Sequence, residues 1–279
     1  MHSSIRRISQ RSCGQFDPKN WFDEGDGLLS SAKKTRDTWT DHRQVFSETK
    51  RSGESKTRDR LLDWNLLTGL PRASMLLLGY SVEMYLKGGI IKAYRGCSEQ
   101  MFERDIKYKF GHKFVSMANE ICFPLGQEDE TNLMQLQNMV LVDARYPVFV
   151  PEEESYSDTT NQQTRKIWSS HNFELLIKLA NRIREHSKSL DANSHNPALF
   201  MYFRIDNDGY LAFRIGGGLP PRITYRLSSE QKQSGQTSMD DVKLLFSSSE
   251  SRKVCSYWDR AWIYEDKEKK TSCRARPSR

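Results

Sequence analysis

Arg165 and His171, in the segment RKIWSSH, are a candidate pair for acid–base chemistry on phosphate. An imidazole titrates near neutral pH and can take up or deliver a proton, and a guanidinium can hold two oxygens of a phosphorus transition state. Such a pair suits cleavage of RNA, in which the substrate's own 2′-hydroxyl is the nucleophile. The residue types predict catalytic roles for Arg165 and His171 in a reaction that requires neither a metal nor another cofactor.

The spacing of this pair does not identify a site by itself. In a chain of this composition, about 1.5 arginine–histidine pairs with four to six residues between them are expected by chance. The chain contains two, and the second is Arg36 with His42 in RDTWTDH. The alternative interpretation makes His171 a buried histidine bonded to a neighbour and Arg165 a solvated flanking charge. The surroundings of each pair must distinguish these interpretations.

The composition indicates a folded protein with a sizeable core. The chain has 279 residues, of which 37% are hydrophobic and 11% aromatic. Its formal charge of +7 favours polyanionic partners, although many enzymes carry as much without binding nucleic acid. The five cysteines are scattered and form no CxxC pair, so the sequence predicts neither a disulfide framework nor a zinc site, and a reducing cytoplasm fits best. The most apolar run, residues 73–82, is too short to cross a bilayer, so no membrane association is expected.

Helical periodicity extends over the first two thirds of the chain. A first helix is expected from Asp17 as N-cap and Pro18 as first helical residue, and the charged residues 47–60 are expected to form an exposed connector. Three further helices are predicted, over residues 70–94, 111–123 and 130–147. A last continuous helix is predicted over residues 159–186. The pattern predicts one helical bundle over residues 16–190, preceded by a flexible basic N-terminus over residues 1–15.

Three short motifs within this bundle resemble the HEPN family (higher eukaryotic and prokaryotic nucleotide-binding domains). They are SVEMYLKGGIIKAY at 81–94, GHKF at 111–114 and DARYP at 143–147, and they occur in the order expected for the family. The resemblance implies an up-and-down helical bundle that is usually dimeric. In many members it also implies a metal-independent ribonuclease, built on an arginine and a histidine near the start of the last helix. Because RKIWSSH occupies that place and RDTWTDH does not, the resemblance selects the first pair.

The resemblance also suggests residues that support the catalytic pair and a biological setting. Glu83, Lys87, His112 and Arg145 are expected to line a supporting cleft, although each also has a structural interpretation as an ion pair or a helix end. The setting implied is a toxin–antitoxin or phage-defence system, often with a neutralising partner protein encoded nearby. This chain departs from active members after the histidine, because Asn172 and Phe173 replace the tyrosine or other polar residue that commonly follows it.

The geometry of a continuous helix predicts that Arg165 and His171 do not share a face. Six residues advance by about 600°, so the two side chains point about 120° apart and are separated by roughly 9 Å along the axis. His171 falls on the same stripe as Trp168, Leu175 and Leu179, where it is expected to be packed, with Arg165 beside it. The sequence therefore predicts a composite site in which one subunit's arginine meets the other subunit's histidine across a homodimer.

A change to period-two alternation at residue 196 predicts a small antiparallel β subdomain over residues 196–265. Apolar residues of segment 199–205 are expected opposite those of 211–215 across a DNDG turn. Aromatic residues alternate there with Arg204, Arg214 and Arg260, as on surfaces that bind single-stranded RNA, although this is also an ordinary composition for a sheet. Residues 266–279 are expected to form a disordered basic tail.

The sequence leaves three functions open. The first is the HEPN-like endoribonuclease, and the second is an inactive module of the same fold that binds a nucleotide, RNA or a partner protein. The third is a dimeric scaffold that acts through its C-terminal sheet and tail.

Overall fold

A computed structural model describes residues 5–52, 57–143, 156–246 and 256–267. Two long helices, α1 (Pro18–Ser52) and α2 (Thr57–Ala93), account for much of the bundle. The predicted start at Pro18 is confirmed, and Asp17 Oδ1 accepts a hydrogen bond from Lys19 N at 2.9 Å. The connector expected over 47–60 is wrong for residues 47–52 and 57–60, because α1 continues to Ser52 and α2 begins at Thr57, and residues 53–56 lie outside the described residues. Residues 47–52 and 57–60 contain no glycine or proline, so they can extend the long helices that adjoin them.

The core of the bundle is organised around α2, as its apolar sequence predicts. α2 continues through Pro71, and its second half is buried on nearly all sides. A glycine permits close packing against α1, since a Cβ at Gly88 would lie 2.7 Å from Cε1 of Phe22. Among the described residues, no helix is both long and apolar enough to span a membrane.

Five shorter helices pack around this pair. They are α3 (Glu99–Arg104), which continues into a π-helical turn (Asp105–Phe110), α4 (Phe114–Glu120), α5 (Gln127–Asn138), which continues into a second π-helical turn (Met139–Asp143), α6 (Tyr156–Trp168) and α7 (Ser170–Ser189). The continuous helix predicted over 159–186 is wrong, because the chain breaks at Ser169. The hydroxyl of Ser169 accepts a hydrogen bond from Asn172 N at 3.1 Å and thereby caps α7.

α7 is fixed to the α1–α2 pair by a charged cluster at Asp26 of α1. The carboxylate accepts hydrogen bonds from Arg184 (2.6 and 2.8 Å), Lys188 (3.1 Å) and the hydroxyl of Tyr85 (2.8 Å). The bonds from Arg184 hold the pKa of the Asp26 carboxyl well below its usual range, although burial opposes them. These contacts place the end of α7 beside the end of α2, and the two helices run in the same direction.

The C-terminal part of the chain forms a four-stranded sheet. Its strands are β1 (Leu199–Ile205), β2 (Gly209–Gly216), β3 (Leu219–Arg226) and β4 (Trp262–Glu265), paired in that order. The β1–β2 hairpin is confirmed with its register, since Leu199 pairs with Ile215 and Phe203 with Leu211. The prediction of a purely antiparallel sheet is wrong, because β4 is parallel to β3. A long connection containing α8 (Ser229–Gln233) and α9 (Met239–Leu245) returns the chain to the starting end of β3, as a parallel pair requires.

The first and the last described segments of the chain meet at the turn that follows α2. Arg7 bridges Ser98, and the amide of buried Ile8 donates to the carbonyl of Cys97 at 2.9 Å. Residues 5–15, expected to be flexible, therefore have defined contacts. Asp266, predicted as the first residue of a disordered tail, is also buried and accepts a 2.6 Å hydrogen bond from the hydroxyl of Ser98. Residues 268–279 of that tail lie outside the described residues.

Candidate functional site

The candidate catalytic pair lies where α6 gives way to α7. Arg165 is in the last turn of α6 and His171 is the second residue of α7, and both side chains are exposed. The prediction that His171 lies on the packed stripe is therefore wrong. Because the chain is not one continuous helix here, the buried positions of α7 are taken instead by residues that begin at Phe173. Both functional groups face solvent, where a substrate or a second subunit can reach them.

A buried arginine of α1 contacts this junction on its inner side. Arg36 is 5% exposed, and its Nη1 donates to the carbonyl oxygen of Ile167 at 2.7 Å. Its guanidinium lies 4.3 Å from the ring of Trp39 and 4.9 Å from that of Phe173. Burial is the main reason that the pKa of Arg36 falls to about 10. The positive charge sits at the carboxyl end of α6, where the helix dipole favours a cation.

Two donors of this arginine remain unused. Nε and Nη2 of Arg36 are buried and have no hydrogen-bond partner within the part of the chain that the structure describes. Trp39 connects α1 with α2 and α6 next to this arginine. Its indole nitrogen donates to the carbonyl of Leu67 at 3.0 Å, and its ring meets that of Trp168 edge-on at 5.9 Å. The junction that carries Arg165 and His171 is thus fixed on its inner side by aromatic and cationic side chains.

The predicted cleft residues Glu83, Lys87 and His112 do come together. Glu83 is 1% exposed, and one of its carboxylate oxygens accepts a 2.5 Å hydrogen bond from Lys87 Nζ one helical turn later. The other oxygen lies 3.0 Å from Nδ1 of His112, which stands just before α4. The positive φ of +53° at Gly111 gives the turn that presents His112 to α2. The carboxylate is buried, but both of its oxygens are satisfied.

The arrangement sets the chemistry of the histidine. A carboxylate only accepts hydrogen bonds, so the neutral ring of His112 carries its proton on Nδ1 and leaves Nε2 as an acceptor. The side chain of His112 is 38% exposed, and Lys87 is beside it with its ammonium 5.5 Å from the ring of Trp21. This cluster has the parts of a general base held by a carboxylate, next to a cation. It also has a purely structural explanation as an internal ion pair.

The cluster and the catalytic pair are separate in the fold. Ser187 of α7 lies level with Gly89 of α2. His171 precedes Ser187 by sixteen residues and Glu83 precedes Gly89 by six. Since the helices run in the same direction, the two groups lie about 15 Å apart along the helix axes. Glu83, Lys87 and His112 therefore form a site of their own and not the walls of a cleft around His171. Arg145, the fourth predicted cleft residue, lies outside the described residues.

The three arginines predicted to bind RNA occupy different environments. Arg214 is 2% exposed and forms an ion pair with Asp191, so its guanidinium does not lie on the surface. Arg204 is exposed and donates to the carbonyls of Asp206 and Asn207 in the β1–β2 turn. Arg260 is exposed in a 3₁₀ turn before β4. The prediction of a common RNA surface is wrong for Arg214, because its side chain is buried and donates to the carbonyl of Lys92 in α2.

Sequence reasoning missed two buried ion pairs of the sheet, of which one attaches the sheet to the bundle. Arg222 of β3 donates to Glu120 of α4 at 2.7 Å, and Arg226 donates to Asp266 at 2.6 Å. Neither pair has a local signal, since the partners are far apart in the chain. Arg36 did have one, because it follows Leu29 and Ala32 and precedes Trp39 on the packed stripe of α1. An arginine on such a stripe must find a buried acceptor, which here is supplied by α6.

Grouped metal ligands and similarity to known proteins would be further indications of function. Among the described residues, no three side chains of histidine, cysteine, aspartate or glutamate are grouped as ligands for a metal ion. No family model, no curated protein and no solved structure matches the chain.

Proposed function

We propose that this protein is a HEPN-like, metal-independent endoribonuclease whose active site is completed across a homodimer by Arg165 and His171. The observation that carries the proposal is the α6–α7 junction, which presents both side chains to solvent at the start of the last bundle helix. The toxin or phage-defence setting, and a neutralising partner encoded nearby, follow from the family resemblance alone.

Exposed apolar side chains near the junction support the dimer. Leu61, Leu62 and Trp64 of α2 are 64%, 58% and 54% exposed. They end about one helical turn before Leu67, whose carbonyl is bonded to Trp39 at the level of the junction. A cluster of large apolar side chains on a folded surface is typical of a contact with another protein. A two-fold axis near these residues would bring one junction towards the other.

The proposed reaction uses the groups in the following way. The imidazole of His171 takes the proton of the substrate's 2′-hydroxyl, and the resulting oxygen attacks the adjacent phosphorus. The bond to the 5′-oxygen breaks, and this oxygen takes a proton from water while His171 later returns its own proton to solvent. The products are a 2′,3′-cyclic phosphate and a 5′-hydroxyl. The guanidinium of Arg165 from the other subunit pairs with the nonbridging oxygens, where charge accumulates.

The test is cleavage of a labelled single-stranded RNA by purified protein in EDTA. His171→Ala and Arg165→Ala are expected to lose cleavage by at least about 100-fold, the first by removing the acid–base group and the second by removing the charge that stabilises the transition state. The matched controls are His195→Ala and Lys166→Ala, which remove an exposed histidine and the exposed cation beside Arg165. Both controls are expected to cleave like the wild type and to yield a cyclic-phosphate end.

Mixing the two inactive variants tests the composite site. A dimer of one His171→Ala chain with one Arg165→Ala chain contains one intact site and one doubly defective site. After subunit exchange, about a quarter of the wild-type activity is therefore expected to return, because half of the dimers are mixed. Restoration would not occur if each chain held a complete site.

Other outcomes favour the alternative functions. An inert wild type, or variants that cleave normally, would reject the nuclease at these residues. An inert wild type that still binds RNA or a nucleotide would identify the chain as a HEPN-like binding module. A scaffold would be indicated if Arg165 and His171 were dispensable in cells while exposed residues of the C-terminal part, such as Arg260 in the turn before β4, were required.

A further inference from the structure

A pocket of about 550 Å³ lies outside both sites described above. It is enclosed by the N-terminal segment, the turn that follows α2 and strand β1. The residues with distinctive chemistry in its wall are Arg7, Arg11, Arg95, Phe200 and Tyr202. The volume is within the range of pockets that hold small ligands. The N-terminal segment and β1 are both outside the stretch that resembles the HEPN family.

The pocket is positively charged. Three of its lining residues are arginines, and none of the described lining residues is acidic. Arg95 donates to Asp191 at 3.0 Å, but Asp191 also pairs with buried Arg214, so one carboxylate is shared by two guanidinium groups. Nε of Arg95 is buried and finds no acceptor among the described residues. Three guanidinium groups with no carboxylate in the wall of the pocket favour an anionic ligand.

The aromatic wall adds a second kind of recognition. The ring of Tyr202 is stacked on that of Tyr210, with centroids 5.5 Å apart and planes inclined by 21°. Its other face is covered by the guanidinium of Arg7 at 3.5 Å. This leaves the exposed side of Arg7, and the partly exposed Phe200 on the same face of β1, as flat surfaces towards the pocket. Guanidinium planes and aromatic rings are the groups on which proteins stack nucleobases.

We infer that this pocket binds one nucleotide unit, with the phosphate against Arg11 and Arg95 and the base against Arg7 and Phe200. A free mononucleotide and a nucleotide within a single-stranded RNA offer the same chemistry, and the experiment separates them. The inference does not depend on RNA cleavage, since the pocket shares no residue with the α6–α7 junction. An exposed cluster of arginines alone would bind phosphate weakly, and it is the adjoining aromatic wall that selects a nucleotide.

The test is equilibrium binding to the full chain, with adenosine monophosphate and a nuclease-resistant 2′-O-methyl oligonucleotide as probes. Arg11→Ala and Phe200→Ala are expected to weaken binding by about tenfold each, one by loss of a charged hydrogen bond and the other by loss of stacking. The matched control is Arg6→Ala, which removes the same charge from the same segment but not from the pocket wall. Thermal unfolding of each variant verifies that the fold is retained.

Each result of the binding experiment either supports or overturns the inference. Binding of either probe that is weakened by Arg11→Ala and Phe200→Ala but not by Arg6→Ala supports the inference, and the preferred probe identifies the source of the nucleotide. Absence of binding to both probes overturns it, as do equal effects of all three substitutions. Competition by inorganic phosphate as effective as that by the nucleotide would reduce the pocket to a simple anion site. Because binding is measured without cleavage, an inactive His171 leaves this result unaffected.

Discussion

Arg36 Nη1 lies 2.7 Å from the carbonyl oxygen of Ile167, so the arginine of one arginine–histidine pair holds the backbone of the other. The two segments, RDTWTDH and RKIWSSH, are 131 residues apart where this bond joins them. What the sequence offers as two competing motifs is thus one assembly. Arg36 positions the helix junction, and Arg165 and His171 project from its outer side.

Arg36→Met is expected to loosen the junction while keeping its apolar packing. The hydrogen bond to Ile167 is lost without leaving a buried charge, so we expect the free energy of unfolding to fall by about 1–2 kcal/mol. Hydrogen exchange of the amides from Ile167 to Asn172 should accelerate more than that of the rest of α7. Arg43, which is exposed and lies 5.4 Å from the ring of Trp39, supplies the matched control Arg43→Met, which should leave this exchange unchanged. Equal protection in both variants would contradict a positioning role for Arg36.

Glu120→Gln is expected to weaken the attachment of the sheet to the bundle. Arg222 is 5% exposed, lies between the rings of Tyr94 and Tyr264 and donates to Glu120 at 2.7 Å. Removing the carboxylate leaves a buried cation without its counterion, which costs about 3 kcal/mol in urea unfolding.

Two further variants test the cause of that loss. Glu185→Gln removes a carboxylate from an exposed pair with Arg184 and should cost less than about 0.5 kcal/mol. The double variant Glu120→Gln, Arg222→Met should recover much of the stability, because no buried charge remains unpaired. A double variant as unstable as the single one would point to lost packing and not to the charge.

The buried Lys92 should make the free energy of unfolding increase with pH in mildly alkaline solution. Its ammonium donates to the carbonyls of Lys188 and Leu190, both at 2.8 Å, and burial lowers its pKa to about 8 despite the opposing charge of Asp191. Between this value and the unfolded pKa near 10.4, the unfolded chain binds more protons than the folded one. The free energy of unfolding should therefore increase with pH.

The matched variant for that measurement is Lys92→Met. Relative to it, the wild type should gain about 2 kcal/mol between pH 7.5 and 9.5, with no relative change from pH 6 to 7. Comparing the two chains at each pH cancels the titration of tyrosines and other lysines. A constant difference across the alkaline range would show that the Lys92 ammonium is not desolvated.

The ring of His112 should carry its proton on Nδ1 when neutral. Glu83 is an acceptor at 3.0 Å, and only the Nδ1–H form satisfies it. Long-range ¹H–¹⁵N correlation spectra at a pH above the titration of the ring distinguish the two forms, with exposed His171 as the reference. A proton found on Nε2 would mean that the Glu83–His112 contact does not exist in solution.

Features set by local sequence were predictable. Pro18 marks the start of α1, and the alternation of apolar residues fixes the β1–β2 register, since a one-residue shift would turn every side chain to the opposite face. The burial of α2 on nearly all sides likewise follows from its apolar composition. The meeting of Glu83 with Lys87 follows from their four-residue spacing.

Features set by distant contacts were not predictable. α6 ends before Ser169 because the hydroxyl of this residue caps the next helix. A serine within a helical pattern does not by itself indicate such a break. Arg214 looks like a surface cation in an aromatic strand, but the fold places Asp191 beside it. β4 lies parallel to β3 because two short helices intervene, and the long connection shows no strong periodicity of its own.

Asp266 gives the order in which a nascent chain can finish folding. Its carboxylate accepts hydrogen bonds from Ser98, Tyr210 and Arg226, which precede it by 168, 56 and 40 residues. At ordinary rates of synthesis, Arg226 emerges about 2–8 s before its counterion is made. The helices can pack during that interval, but the sheet is completed only when Asp266 has been made. A late step of folding is therefore the binding of Asp266 by Ser98, which is made 168 residues earlier.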